Sequence, residues 1–503
     1  MAVPAERIRV LNGAPVRADR ALVVYWMTCN RRLRSNPALE RAVALARELG
    51  KPVLIHEPVR LGYPYASDRL HAFLLEGMAA TARALEGRAL HFPWVERRAG
   101  EGAGLLEALA AHACAVITDD YPTFFVPEVL AAAAQRLDVR LEAVDGSCLV
   151  PFRLAGRDFP TAYAYRRWLQ GVLPEWLGRL PAQQPLSRAP PPGRVRLPAE
   201  VVARWAPATA AELAAPLQLV PSLPVDHAVP PSRTLRGGSA EGEARLAAFV
   251  SARLARYGED RNDPDAGGAS GLSPWLHFGQ VGTFDVVRAV LRAERWSAER
   301  LTPVRGARHG FWGLSEAAEG FLDQLVTWRE LGFVTCAHRP DHRQYGSLPP
   351  WARATLAAHA ADPRPALYDD ATLAAGRTGD RIWNAAQRQL REEGVIQGYL
   401  RMLWGKKLLE WSRTPEQALE RMLELNDRWA LDGRDPNSVT GIFWCLGRYD
   451  RPWGPERPIF GTVRYMSSEN TRRKLKLGAY LDRYAPDPGR APEQGSLFRA
   501  PAR

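Results

Sequence analysis

Between residues 20 and 150, short apolar runs alternate with stretches of helical period. The segments at 21–27, 52–58, 89–95, 114–120 and 139–145 (ALVVYWM, PVLIHEP, ALHFPWV, CAVITDD and VRLEAVD) read as strands. Helices are predicted between them near 37–49, 67–85, 102–112 and 125–137. Strands alternating with helices at this interval predict βαβ units, a parallel sheet covered on both faces and hence a Rossmann-like α/β domain over residues 1–150. Ligands in such sheets sit at the carboxyl ends of strands. Neither GxGxxG nor GxxxxGK[ST] follows the first strand, so no dinucleotide fingerprint and no P-loop is claimed. The next loop, TCNRRLRSNPALE, reads as a solvated basic loop.

Residues 151–240 lose this pattern to proline-rich segments such as RAPPPGRVRLP and read as a connector over the surface, with a short helix near 163–171. From 241 to 484 the period is helical, with helices predicted at 241–257, 273–294, 318–331, 350–361, 379–393, 395–412, 415–425 and 470–482. The best defined runs from Val395 to Trp411, its apolar face carrying Ile396, Leu400, Leu403, Trp404, Leu408 and Trp411. Gly394 marks its start, and Thr414, Pro415 and Gln417 supply a cap, a first-position proline and a capping-box residue for the next helix. Trp404 and Trp411 lie on one face, roughly 10.5 Å apart along the axis, a spacing that suits a plain core role equally well. Residues 485–503 lack apolar periodicity and are expected to be a disordered tail.

Composition adds three points. Among 503 residues, the net charge of +12 favours a polyanionic partner, nucleic acid being one candidate. The 16 tryptophans concentrate after residue 274, where they require either a large helical core or a site for a π-system. The five cysteines form no CxxC pair, so no disulfide framework or zinc site is expected, and a reducing cytoplasm fits. No run approaches the length of a membrane span, and no membrane partner is expected.

The segment at 256–280 places Ser270, Gly271 and Ser273 before a proline-started helix. With Ser273 as cap and Pro274 in the first turn, free N–H groups and Tyr257 would suit a phosphate. An ordinary capped helix start has the same form.

Six blocks in order, GLSPWLHFGQ, FLDQLVTWREL, IWNAAQ, YLRMLWGKKLLEW, LNDRWALDGRDPN and FGTVRYMS, closely resemble the class II cyclobutane pyrimidine dimer photolyases of the photolyase/cryptochrome family. The resemblance is dense over 241–484 and weaker in the N-terminal domain. It implies an N-terminal α/β antenna domain joined by a long linker to an all-α FAD-binding domain. It also implies a monomeric enzyme acting on UV-damaged DNA by light-driven electron transfer from reduced FAD to a flipped-out dimer. By position, Tyr257, Ser270, Gly271, Leu272, Ser273 and Gln280 match the cofactor-binding segment, and Arg401 with Asp432 matches an ion pair across the isoalloxazine. Arg329 either reaches the same cofactor or pairs with a carboxylate such as Glu330. Asn426 matches the asparagine opposite flavin N5, with Asn437 as the fallback. Trp404, Trp383 and Trp411 match the electron-transfer tryptophans.

For the substrate, Trp328, Met402 and Trp444 match the lesion pocket, and Arg464 matches a residue entering the bubble left in the duplex. Lys406, Lys407, Arg472, Arg473 and Lys474 suit either phosphates or a solvated surface. Gln324 stands where the family usually has a glutamate that hydrogen-bonds the dimer, and Asp323 could replace that glutamate only if the helix shifts register. An antenna such as 8-hydroxy-5-deazaflavin is implied without identified ligands. The alternative reading is a cryptochrome-like photoreceptor that does not repair.

Overall fold

The computed structural model describes residues 2–485 apart from Glu86 and Arg194; the tail expected to be disordered falls, beyond Ala485, outside the described residues. Strands β1 (Ile8–Val10), β2 (Leu22–Trp26), β3 (Val53–Val59), β4 (Leu90–Val95), β5 (Ala113–Asp119) and β6 (Leu141–Val144) form one sheet in the order β1-β6-β5-β2-β3-β4. All pairs are parallel except β1 with β6. Every position of β2, β3 and β5 is buried, which is why these strands read as unbroken apolar runs. β1 has three residues, two of them exposed, and carried no such signal.

Helices α1 (Pro37–Leu49), α2 (Asp68–Leu85), α3 (Leu105–Ala110) and α4 (Val126–Arg136) connect the strands. α1 begins where the Asn36 side chain accepts from Leu39 N beside Pro37, and ends on Gly50 at φ 65°. It covers Val23, Tyr25, Ile55 and Ile117 on one face of the sheet. The other face, with Val24, Leu54 and Val116, belongs to a larger core that continues through Trp275, Phe284 and Phe321 of the helical half. A second core gathers Trp383, Trp404, Leu408 and Phe443.

The proline-rich stretch is more than a surface connector. It holds a 16-residue helix, Ala162–Leu177, whose Tyr165, Leu169, Leu173 and Trp176 are buried. Thr161 caps this helix by accepting from Ala164 N, and Pro174 near its end masked its length in the sequence.

The helical half departs from expectation at identifiable points. The predicted 273–294 helix is two, Ser273–His277 and Thr283–Ala293. They separate at Gly279, whose φ is 64° and where a Cβ would lie 2.2 Å from the Cys29 carbonyl oxygen. The predicted 318–331 helix contains a π-helical segment, Asp323–Trp328, between Glu316–Leu322 and Arg329–His338. The predicted 470–482 helix is likewise two, Ser468–Lys474 and Gly478–Tyr484.

Buried arginines stitch the two halves together. Arg31 and Arg32, expected in a solvated loop, are 7% and 2% exposed. Arg32 donates to the carbonyls of Gly146 (2.7 Å) and Gly279 (3.0 Å). Glu330 lies in the same seam, accepting from Leu149 N at 2.6 Å, while its other oxygen has no hydrogen-bond partner among the described residues. Burial pushes its carboxyl up to about 8. The fold therefore keeps a proton there that the unfolded chain releases near the ordinary value, so stability falls as pH rises from about 4.5 to about 8. Glu330→Gln keeps the acceptor and removes the titration. Urea unfolding should show it more stable than the parent by ~2–4 kcal/mol at about pH 9 and little different at about pH 5.

Candidate functional site

Three helices meet at the predicted site. The helix Gly398–Glu410 starts on Gln397, whose side chain accepts from Leu400 N. Gly394 does not start it; in the left-handed conformation at φ 81° it ends the preceding helix, Arg381–Glu393. Pro415–Trp429 is capped by Thr414, as expected, although Gln417 reaches Arg413 N and not the cap itself. The third helix, Pro436–Cys445, was not foreseen. Its cap is Asp435, which accepts from Asn437 N, with Pro436 in the first turn. Close approach locks it in place: a Cβ on Gly405 would meet Cys445 Sγ at 2.5 Å, and one on Gly332 would meet the Pro436 carbonyl at 2.8 Å.

This packing brings the expected pairs together. Arg401 Nη2 lies 2.9 and 3.1 Å from the two oxygens of Asp432. Asn426 is buried, and its Nδ2 donates to Ser438 Oγ at 2.9 Å and to Asp427 Oδ1 at 3.1 Å. Asn437, the fallback, is exposed in the first turn of its helix.

Trp404, Trp383 and Trp411 form a contiguous series. The rings of Trp383 and Trp404 are parallel with centroids 6.5 Å apart, and Trp383 meets Trp411 edge-on at 5.4 Å. Trp383 Nε1 donates to the Trp404 carbonyl, and Trp404 Nε1 to Gln387 Oε1. These residues also lie in the second core, so the core role and the series are one arrangement.

On the other side, Trp328 stacks on Trp444 at 4.6 Å and 21°. Met402 contacts Cys445, sulfur to sulfur, at 4.0 Å. Gln324, four residues before Trp328 in the π-helical segment, is half-buried. Asp323 is not available beside it: it is buried and pairs with Arg166 through bonds of 2.6 and 3.0 Å. Arg464 is exposed and sits over Trp453, 5.2 Å from the ring centroid, with Arg451 4.8 Å from the same ring. Trp453, 37% exposed, was missed in the sequence; its flanking arginines were the available signal.

The segment Ser270–Gly271–Leu272–Ser273 borders the guanidinium of Arg245, which a Cβ on Gly271 would strike at 2.4 Å. Arg245 has no ion-pair partner among the described residues, and burial lowers its pKa. Ser273 is the first residue of its helix and makes no cap bond, so the expected serine cap is absent. The Tyr257 ring is buried against Phe249 and Phe321.

Four of the named residues have polar atoms engaged within the chain. Both ends of the Gln280 amide are committed to the seam, accepting from Gly238 N at 2.7 Å and donating to the Phe73 carbonyl at 3.2 Å. Among the described residues Arg329 pairs with no carboxylate, and it donates to the Ser147 carbonyl and Thr283 Oγ1. Lys406 is buried, donating to the Cys445 carbonyl at 2.6 Å, and burial lowers its pKa to about 8. Lys407 is held by Glu410 at 2.7 Å. Neither lysine is placed for phosphate, whereas Arg472, Arg473 and Lys474 are exposed.

A separate cleft opens at the carboxyl ends of β2 and β3. Trp26, Tyr63, Phe124, Phe125, Phe278 and Arg434 line it. Arg434 is 3% exposed, and its Nη1 has no hydrogen-bond partner among the described residues.

A family model described as DNA photolyase matches residues 23–185. The chain is 33% identical to the deoxyribodipyrimidine photo-lyase of Methanothermobacter thermautotrophicus, across 96% of this chain and 98% of that one. It is 32% identical to the protein of the same name from Potorous tridactylus, across 96% and 85%. A bacterial class III photolyase from Agrobacterium tumefaciens shares the fold at TM-score 0.64 and 19% identity, over 93% of this chain and 87% of that one. Among the described residues, no helix is long and apolar enough to cross a membrane.

Proposed function

The chain belongs to the DNA photolyase family, and from that premise we propose that it repairs cyclobutane pyrimidine dimers in DNA by light-driven electron transfer, as a monomer of the class II branch. The six ordered sequence blocks support the class. The observation that carries the reading is the parallel Trp404–Trp383 pair continuing to Trp411, which begins one helical turn from the Arg401–Asp432 pair.

The residues present fit FAD. Among the described residues Arg245, beside Gly271, has no carboxylate partner and suits a diphosphate, and Asn426 keeps an amide oxygen free of protein donors. Reduced FAD, when bound, supplies the photoexcited electron donor. Arg401 and Asp432 hold a polar edge against it without leaving either charge unpaired. Asn426 Oδ1 accepts from a ring N–H and offers no proton in return. Trp328, Met402 and Trp444 present flat and polarizable surfaces to a flipped dimer. Base–aromatic contacts worth about 1–3 kcal/mol each offset the few kcal/mol of flipping. Arg464 and Trp453 enter the space the dimer leaves. The aromatic cleft beside Arg434 takes the antenna, whose identity the absorption spectrum of the purified protein decides.

Illuminating the reduced protein with a dimer-containing oligonucleotide should restore intact pyrimidines; no restoration sinks the proposal. Gln324→Glu should match or raise the repair yield, by up to about fivefold, the worth of one hydrogen bond. A yield below half that of the parent would mean that this pocket is tuned for the neutral amide.

A further inference from the structure

Asn426 acts through whichever end of its amide faces the flavin, and the two ends have opposite chemistry. The structure shows which end the protein itself engages. Asn426 Nδ2 is within hydrogen-bond distance of Asp427 Oδ1 (3.1 Å) and Ser438 Oγ (2.9 Å). An ionised carboxylate only accepts, so the amide atom facing Asp427 must be the nitrogen, and both of its protons are then in use. Asp427 is itself immobilised. It is 1% exposed, its Oδ2 accepts from Arg343 Nη2 at 2.7 Å, and its Oδ1 also accepts from Arg434 N at 3.0 Å. Ser438 stands in the first turns of the helix that Asp435 caps, held from behind at Gly332 and Gly405.

We propose that Asp427 and Ser438 are positioning residues that clamp the Asn426 amide with its oxygen toward the flavin, and so set the balance between oxidised and reduced cofactor; this rests on the flavin reading above. Rotating the amide by half a turn would set its oxygen against the Asp427 carboxylate and break that hydrogen bond, while Ser438, whose hydroxyl can donate or accept, anchors the amide in place. Held as it is, the oxygen can accept from the N–H of a reduced ring and has nothing to donate to the bare nitrogen of an oxidised one. Releasing the clamp lets Nδ2 reach that nitrogen and favours the oxidised form.

The test is a redox titration of the FAD-loaded protein, followed by its absorption spectrum. Ser438→Ala and Asp427→Asn should each move the equilibrium toward oxidised flavin by about fivefold, on the order of 20 mV for a two-electron couple. Ser438→Thr, which keeps the hydroxyl, should restore the parent value. In an Asn426→Ala background, Ser438→Ala should add nothing, because its effect runs through the amide. Unchanged potentials in both single variants, with FAD bound, overturn the clamp and leave the flavin reading standing. A shift that persists in the Asn426→Ala background also overturns it. A purified chain that takes up no FAD overturns the flavin reading and the clamp together.

Discussion

Trp383→Phe should lower the rate of light-driven reduction of the oxidised flavin by at least an order of magnitude, while protein reduced chemically beforehand still repairs dimers. The reason is geometric. Trp383 is fully buried between Trp404, whose ring is parallel at 6.5 Å, and Trp411, edge-on at 5.4 Å. Without it, the path from Trp404 to Trp411 is a single step of roughly 10.5 Å along one helix. Phenylalanine retains most of the apolar volume but is far harder to oxidise. It also drops the hydrogen bond from Trp383 Nε1 to the Trp404 carbonyl, so a stability loss of about 1–3 kcal/mol accompanies the kinetic effect. Following flavin absorbance under blue light with an external reductant measures the first effect, and dimer repair after dithionite reduction is its control. Equal photoreduction rates for parent and variant would remove Trp383 from the route.

The largest effect on stability is expected at Arg69. This α2 residue is 1% exposed and has no carboxylate partner among the described residues. Its guanidinium donates to the carbonyls of Pro230 (3.0 Å), Leu390 (2.9 Å), Trp429 (2.7 Å) and Arg391. The carbonyls of Leu390 and Arg391 belong to the last turn of one helix of the helical half, and that of Trp429 to the end of another. Last-turn carbonyls lack a full set of intrahelical donors, although Leu390 also accepts from Gly394 N at 2.9 Å, and a cation there complements both helix dipoles. Burial lowers the Arg69 pKa to about 10, still high enough to hold the charge at neutral pH. Arg69→Ala should cost roughly 3–5 kcal/mol in urea unfolding, because it opens a cavity and leaves several buried carbonyls unpaired. Arg69→Met, which restores much of the volume, should recover less than half of that loss. Full recovery by methionine would show that packing, and not carbonyl capping, holds this seam.

Much of the site was legible in advance, and what was hidden follows a pattern. Arg401 with Asp432, and the series Trp404, Trp383 and Trp411, were named from sequence blocks and are in contact in the structure. Gln280 and Arg329 stand in equally recognisable blocks, yet their polar atoms are taken by Gly238, Phe73, Ser147 and Thr283. All four of those partners lie at least 40 residues away in the chain, and two of them, Phe73 and Ser147, fall within its first 150 residues. Arg245, Ser438 and Trp453 went unnoticed for the converse reason. Each is an ordinary residue in its own segment and gains a role only from what another segment sets beside it. The helix Pro436–Cys445 was missed because its start, DPN, reads locally as a turn.

Local chemistry written in the sequence determined the sheet, its parallel βαβ order and most helices, since strand burial, helical period and caps are set by neighbours a few residues apart. The π-helical segment that sends Asp323 to Arg166, and the burial of Arg32, Arg69 and Lys406, were decided only by the tertiary structure. In each case a charged side chain left the solvent because distant carbonyls or a distant charge were waiting for it. The same holds for the Asn426 amide. Its residue type is legible in the chain, but its direction depends on a carboxylate next to it and a hydroxyl on another helix.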